Sequence, residues 1–214
     1  MAKPLIPLEA ILERALVLLD AQGSAALTTR SLAADLKIST RTLYQQVGSR
    51  DELIRALVAR HFSELALDFH EYDDWEATAL HWCLALRDAL LAHPHLTELM
   101  TIDDRGAVMA YVGELVDATL REGVPRKLAI ESCRSLVNLT ISHSVMEVRG
   151  RLEPSLSRES AAETTLIEKN FPKTVGWILA GVRAEARQST ASNAKSVARL
   201  TKRRTQGKRD QAIG

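Results

Sequence analysis

Aromatic side chains are scarce in this chain: Phe, Trp and Tyr make up 4% of 214 residues. Its core must be built mainly from smaller aliphatics. Ala and Leu, the commonest apolar residues, are strong helix formers that pack closely. Cysteine is nearly absent. Cys83 and Cys133 fall inside helical patterns and cannot supply a disulfide framework, which favours a reducing compartment. No run of eighteen apolar residues occurs, so no transmembrane helix is expected. The opening Met1-Ala-Lys-Pro-Leu-Ile-Pro has no sustained apolar run before a small-residue cleavage site and does not read as a secretion signal; the expected location is cytoplasmic. Also missing are a Gly-rich phosphate loop, a nucleophile elbow and a paired metal motif, which argues against an enzyme. His61, His70, His81, His93, His95 and His143 lack the spacing of a closed metal site, so neither metal nor cofactor is expected.

What is present is charge sorted by region. The net charge is only +1. Yet residues 71–182 carry 11 basic and 17 acidic groups, whereas residues 183–214 carry 9 basic and 2 acidic ones. Residues 28–60 hold six basic against three acidic groups. Such segregation is expected when part of a chain meets a polyanion.

Apolar residues recur at spacings of three and four throughout, and no alternating strand pattern survives, so the fold class is all-α. A first helix opens at Pro7, with Leu8, Ile11, Leu12, Ala15, Leu16 and Leu19 on one face. Thr28 caps a second, Thr29 to Leu36, and Ser39 caps a third, Thr40 to Val47, ended by Gly48. Ser49-Arg-Asp-Glu52 reads as a capping box for a fourth helix reaching about Asp68. Helices follow at Trp75 to Ala92, about Arg105 to Arg121, and Pro125 to about Arg149, the last being the longest expected. Residues 150–170 read as a loop or weak helix, and Pro172 opens a final helix to about Ala186. The boundaries expected are 1–48 for a helix-turn-helix domain, 49–70 for a connecting helix, 71–187 for a regulatory and dimerisation domain, and 188–214 for a basic, disordered tail.

Two short capped helices joined by a tight turn behind a supporting helix form a helix-turn-helix, whose second helix enters the major groove of DNA. Its outward positions need short polar, amide or basic side chains. Thr40, Arg41, Thr42, Gln45 and Gln46 meet that need: Arg pairs with guanine, Gln with adenine, and Thr offers a hydroxyl and a methyl. Tyr44 presents a hydroxyl to phosphate, while Thr29, Arg30 and Arg50 sit at helix starts suited to backbone phosphates.

The strings Leu27-Thr-Thr-Arg-Ser-Leu-Ala-Ala-Asp-Leu, Ile38-Ser-Thr-Arg-Thr-Leu-Tyr-Gln-Gln-Val and Ser49-Arg-Asp-Glu-Leu-Ile resemble the TetR family of repressors, over about residues 8–65. The resemblance implies an all-α homodimer with an N-terminal DNA-binding domain and a C-terminal ligand and dimerisation domain. It also assigns Thr29, Arg30, Thr40, Arg41, Thr42, Tyr44, Gln45, Gln46 and Arg50 to DNA contact. Lys37 departs from it, standing where the family often has Gly in the turn.

A dimer would read a near-palindromic double-stranded operator with both copies. Candidates for the pairing surface are Val175, Gly176, Ile178, Leu179, Ala180 and Val182 of the last helix, with Ile130, Val137, Ile141 and Val145 of the long one. A small-molecule effector pocket would draw on Trp82, Met100, Met109, Tyr111, Asn138, Ser142, His143, Met146 and Trp177. The function expected is a repressor released from its operator by that effector. The alternative is a regulator of the same fold governed by a protein partner or acting without ligand. The tail from Lys195 to Arg209 reads as a solvated end, with nonspecific attraction to phosphate as its other reading.

Overall fold

A computed structural model describes residues 6–64, 70–101, 112–153 and 158–211. Among these, every regular element is helical: α1 (Leu8–Gln22), a 3₁₀ turn (Ser24–Ala26), α2 (Thr29–Asp35), α3 (Thr40–Val47), α4 (Arg50–Glu64), α5 (Trp75–Ala92), α6 (Pro94–Glu98), α7 (Val112–Arg121), α8 (Arg126–Leu152) and α9 (Arg158–Gln211). No described helix is long and apolar enough to cross a membrane.

Helices α1 to α4 enclose the first part of the core. Ile11, Leu12, Ala15 and Leu19 of α1 meet Leu32 and Ala33 of α2, Leu43 of α3, and Leu53, Ile54, Leu57 and Val58 of α4, all buried. Side chains satisfy the free amides of the helix starts. The Ser31 amide donates to the Thr28 hydroxyl at 3.1 Å, and the Thr28 amide donates back to the Ser31 hydroxyl at 3.0 Å. Two ion pairs hold the bundle from outside: Arg14 grips Asp35 through two bonds of 2.8 and 2.7 Å, and Arg60 meets Glu9 at 2.6 Å.

α2 ends in a Schellman motif. The Ile38 amide bonds the Ala33 carbonyl and the Lys37 amide bonds the Ala34 carbonyl, at 3.0 and 3.1 Å. The motif demands a left-handed residue, and Lys37 supplies it at φ 54°. A side chain there costs about 1–2 kcal/mol; the two closing bonds and the packing of Ile38 on the core hold the turn.

The second half of the molecule wraps α5. Trp75, Ala79, Trp82, Cys83, Leu86 and Leu90 are buried, because α5 packs on α7, α8 and α9 at once. α8 contributes Ala129, Cys133, Leu136, Val137 and Ile141, and α9 contributes Phe171, Val175, Leu179 and Val182. Buried hydroxyls of α8 donate to its own carbonyls: Thr140 to Leu136 and Ser144 to Thr140, both at 2.8 Å. Burial pushes the Cys83 thiol up to about 12 and raises that of Cys133 as well. Both are therefore packed thiols rather than reactive thiolates.

Among the described residues one acidic side chain lies within this core. Glu147 of α8 is fully buried. Arg87 of α5 clasps it with two bonds, Nε at 3.0 Å and Nη2 at 2.8 Å. Arg151 also reaches it and bridges to Glu168 of α9. Phe171 lies 5.7 Å from the Arg87 guanidinium and packs against the His143 ring.

Several sequence expectations change. Between Ala92 and Arg105, where no helix is expected, lies the short helix α6, opened by Pro94 at its first position. α8 runs past Arg149 to Leu152. α9 starts at Arg158 and carries Pro172 inside it, so Pro172 costs a hydrogen bond there rather than opening the helix. The disordered tail expected from residue 188 is instead helical to Gln211, which makes α9 the longest helix. The reason lies in local propensity. Residues 188–206 contain no Gly or Pro and several Ala, Lys, Arg and Gln; a helix already nucleated propagates through such residues without needing an apolar face.

Removing the buried acid leaves Arg87 without its main partner. Glu147→Ala is expected to cost about 3–5 kcal/mol, read as a loss of roughly 6–20 °C in melting temperature by circular dichroism. Burial holds the His143 imidazole below its usual value, so the folded state binds fewer protons there than the unfolded chain. Stability is expected to fall as pH drops below about 6.5, and His143→Gln is expected to flatten that part of the curve. An unchanged slope in the variant contradicts this.

Candidate nucleic-acid interface

The third helix is fixed by one anchor and two end pieces. Leu43 is its fully buried residue. At its start the Thr42 amide donates to the Ser39 hydroxyl at 3.0 Å. At its end Gly48 takes φ 69° and its amide bonds the Tyr44 carbonyl at 2.9 Å. The chain turns at once into α4 through a capping box: Ser49 donates its amide to Glu52 at 2.6 Å, and Glu52 donates its amide to the Ser49 hydroxyl at 3.2 Å. The Ser49 amide, with its hydroxyl, holds the Glu52 carboxyl below its usual value. A Cβ on Gly48 would stand 2.2 Å from that carboxylate.

With Leu43 inward, Thr40, Arg41, Tyr44 and Gln45 are exposed together on the outer side, Tyr44 by 60%. Arg41 and Gln45 are one helical turn apart. Arg30, in the first turn of α2, is exposed, and Thr29 is half-buried. These residues form the surface expected of a groove-reading helix with its flanking phosphate contacts.

Three of the nine candidates have other work. The Thr42 hydroxyl lies 2.7 Å from that of Ser39, completing the cap. Gln46 turns away from the outer face, its Nε2 donating to the Ile6 carbonyl at 2.7 Å, which ties the segment before α1 to α3. Arg50 donates to the carbonyls of Leu27 and Ser24 at 3.0 and 3.1 Å, bracing the turn that leads into α2. Partners 23 to 40 residues away are not readable from local spacing.

Sequence reasoning also missed the joint between the two halves. Asp20, in the last turn of α1, meets His93 Nδ1 at 2.8 Å. The His93 ring stacks edge-on against His61 of α4 at 4.9 Å, and His95 packs beside Gly23. Thus α6 rests on both α1 and α4. Among the described residues no group of three His, Cys, Asp or Glu side chains is arranged to hold a metal.

The effector residues do not come together as expected. Trp82 and Met100 are core residues, and His143 is half-buried with Nε2 3.0 Å from the Ile167 carbonyl. Asn138 and Ser142 are exposed, as are Met146 by 59% and Trp177 by 64%; they cannot wall an internal pocket. Met109 and Tyr111 lie outside the described residues. The correction follows from register: α8 and α9 turn Val137, Ile141, Val175, Leu179 and Val182 inward onto α5, so that Asn138, Ser142 and Trp177 point out. The same register withdraws those five apolar residues from the expected pairing surface. Two open grooves, of about 480 and 570 Å³, flank Arg183, which is ion-paired with Glu76.

A capped, amide- and arginine-bearing second helix on a three-helix support defines a helix-turn-helix DNA-binding domain. Residues 11–57 match the sequence model of bacterial regulatory proteins of the tetR family. Over 92 residues the chain is 35% identical to the tetracycline repressor protein class E of Escherichia coli, covering 41% of this chain and 43% of that protein. It is 30% identical, also over 92 residues, to an HTH-type transcriptional regulator of Saccharopolyspora erythraea, covering 43% and 39%. The matches thus span about two fifths of the length of these relatives. The fold extends further. Apo ActR of Streptomyces coelicolor superposes with a TM-score of 0.65 at 22% identity over 88% of this chain and all of that one. A TetR variant from Acinetobacter baumannii in complex with minocycline gives 0.63 at 21% over 85% and 98%. Residues 11–57 therefore carry the sequence pattern of tetR-family regulatory proteins, and the chain shares its fold with these solved structures.

Gly48→Ala places a left-handed side chain against the Glu52 cap. It is expected to destabilise the domain by about 2–3 kcal/mol, combining the left-handed penalty with loss of the cap; urea unfolding checks this. Lys37→Gly, which removes the same penalty at the other turn, is expected to stabilise by about 0.5–1 kcal/mol after the extra freedom of glycine in the unfolded chain is counted.

Proposed function

We propose that the chain is a homodimeric repressor whose α3 reads a near-palindromic double-stranded operator and which a small molecule releases. The observation that carries the first part is the outer face of α3, where Thr40, Arg41, Tyr44 and Gln45 are exposed together while Leu43 anchors the helix. In this reading Arg41 and Gln45 contact base edges. Thr29, Arg30 and Tyr44 contact phosphates. Thr42, Gln46 and Arg50 set the geometry through the bonds described above.

Pairing is supported by the outer faces of α8 and α9. Large side chains stand exposed there at Met146, Leu166 and Trp177, next to Gly176 and Gly181, where a Cβ would meet nothing. A two-fold contact through this face would hide area that a lone chain leaves in water. Release by a small molecule is supported by the fold shared with ActR, whose structure in complex with actinorhodin superposes at a TM-score of 0.65 and 23% identity, and by the α6 joint. A ligand that shifts α6 would act on α1 and α4 through Asp20, His93 and His61, and only a ligand favouring the shifted state would release DNA. The effector is expected within the C-terminal domain, on the side of Trp82, Met100 and His143, in the cytoplasm.

Selection of bound duplexes from random sequence supplies the operator. Arg41→Ala and Gln45→Ala are each expected to weaken that operator by about 10–100-fold, since a bidentate base contact is worth about 1–3 kcal/mol, with much smaller losses on random duplex. Equal losses on both would contradict base reading. Trp177→Lys is expected to yield a monomer in sedimentation velocity and to lose operator affinity; an intact dimer would overturn the pairing face.

A further inference from the structure

The helix α9 continues for twenty residues beyond Ala191, about 30 Å at 1.5 Å per residue. Among the described side chains, Ala191 is the last to line either groove beside Arg183. The sequence here has a definite character. From residue 186 to 209 there is no acidic residue, while Arg187, Lys195, Arg199, Lys202, Arg203, Arg204, Lys208 and Arg209 are basic. Lys195, Arg199, Lys202 and Arg209 stand at i, i+4, i+7 and i+14, with Gln206 at i+11, and so share one helical register. Val197 and Leu200 are the sole large apolar residues. That is too little to enter a bilayer interface, whereas a basic stripe at helical spacing suits the regular charge of a duplex backbone.

Position adds the second element. The end of α5 touches the DNA-binding domain, His93 meeting Asp20. α9 runs antiparallel to α5: Phe171 lies against Arg87, near that end, and Arg183 pairs with Glu76, at the start of α5. Residues 183–191 then line a groove with Trp75, Gly123 and Val124. α9 therefore runs away from the pole that holds α3 as it leads into the basic segment.

We propose that the C-terminal segment of α9, residues 195–209, is a second, sequence-independent surface for duplex DNA, so that the protein holds two duplex segments at opposite poles. It goes beyond operator reading by α3 and does not require it. In a dimer each copy would carry one such helix.

The test uses the full chain and a variant carrying Lys195→Gln, Arg199→Gln, Lys202→Gln and Arg209→Gln, which keep good helix formers in place. Beads bearing the selected operator are loaded with either protein, then offered a fluorescent 60-base-pair duplex of random sequence. Bead loading reports on α3 and capture of the second duplex on α9, so the two readings fail separately. Equal loading with at least tenfold less capture by the variant is expected. For random duplex alone, the slope of log affinity against log salt is expected to fall by roughly 3–4, at about 0.9 per lost phosphate contact. Equal capture by both proteins, or an unchanged slope, overturns the proposal. A reduced slope with no capture by either protein would place the segment on the same duplex as α3 and overturns the opposite-pole arrangement. Binding to phosphatidylserine vesicles without duplex capture overturns it in favour of a membrane.

Discussion

The burial of Leu43 is the constraint on which the rest depends. α3 is only eight residues long, too short to persist alone in water. Its orientation is therefore decided by the one side chain it commits fully to the core of α1, α2 and α4. Once Leu43 is inward, helical geometry places Thr40, Arg41, Tyr44 and Gln45 outward without further choice. The Ser39 cap, the left-handed Gly48 and the Ser49–Glu52 box then fix both ends. Arg14 on Asp35 and Arg50 on the Ser24 and Leu27 carbonyls keep the supporting helices from sliding. Binding surface and scaffold are thus one construction.

The C-terminal half is built by a different rule. α5 is enclosed on several sides, and its polar content is met by partners chosen from distant parts of the chain. Arg87, Glu147, Arg151 and Glu168 join α5, α8 and α9. A buried pair of this kind adds little net stability over well-packed apolar residues, yet breaking one side is costly. It fixes how the helices register rather than how strongly they adhere. At one end of this half, Asp20, His61 and His93 make a polar joint to the DNA-binding domain. The joint is small and polar, built from one hydrogen bond and one ring contact.

Legibility in the sequence followed the range of the interaction. Caps at Thr28, Ser39 and Ser49 and the stop at Gly48 are local, and their residues announce them. The limits of α3 and of α5 were readable to the residue for the same reason. The partners of Gln46 and Arg50 lie 40 and 23 residues away, so a solvent-facing role read from spacing alone misses what they hold. The face of α8 was misread because its pattern is Ala, Ser, Thr and Leu on several sides; only packing against α5 decides that Ile141 and Ser144 turn in while Ser142 and Met146 turn out. The basic end of α9 lacks an apolar face, so hydrophobic periodicity does not mark it as a helix, although the helix runs to Gln211.

Contact between the outer face of α3 and base edges is the central claim, and photocrosslinking from a single site tests it most directly. Cys83 and Cys133 are buried, their thiols raised by that burial, so a cysteine at the exposed position 45 can be labelled selectively with an azidophenacyl group. Gln45→Cys carrying this label is predicted to crosslink to bases within each half of the selected operator. Crosslinking from a label at exposed Arg134 of α8 with none from position 45 would contradict the account.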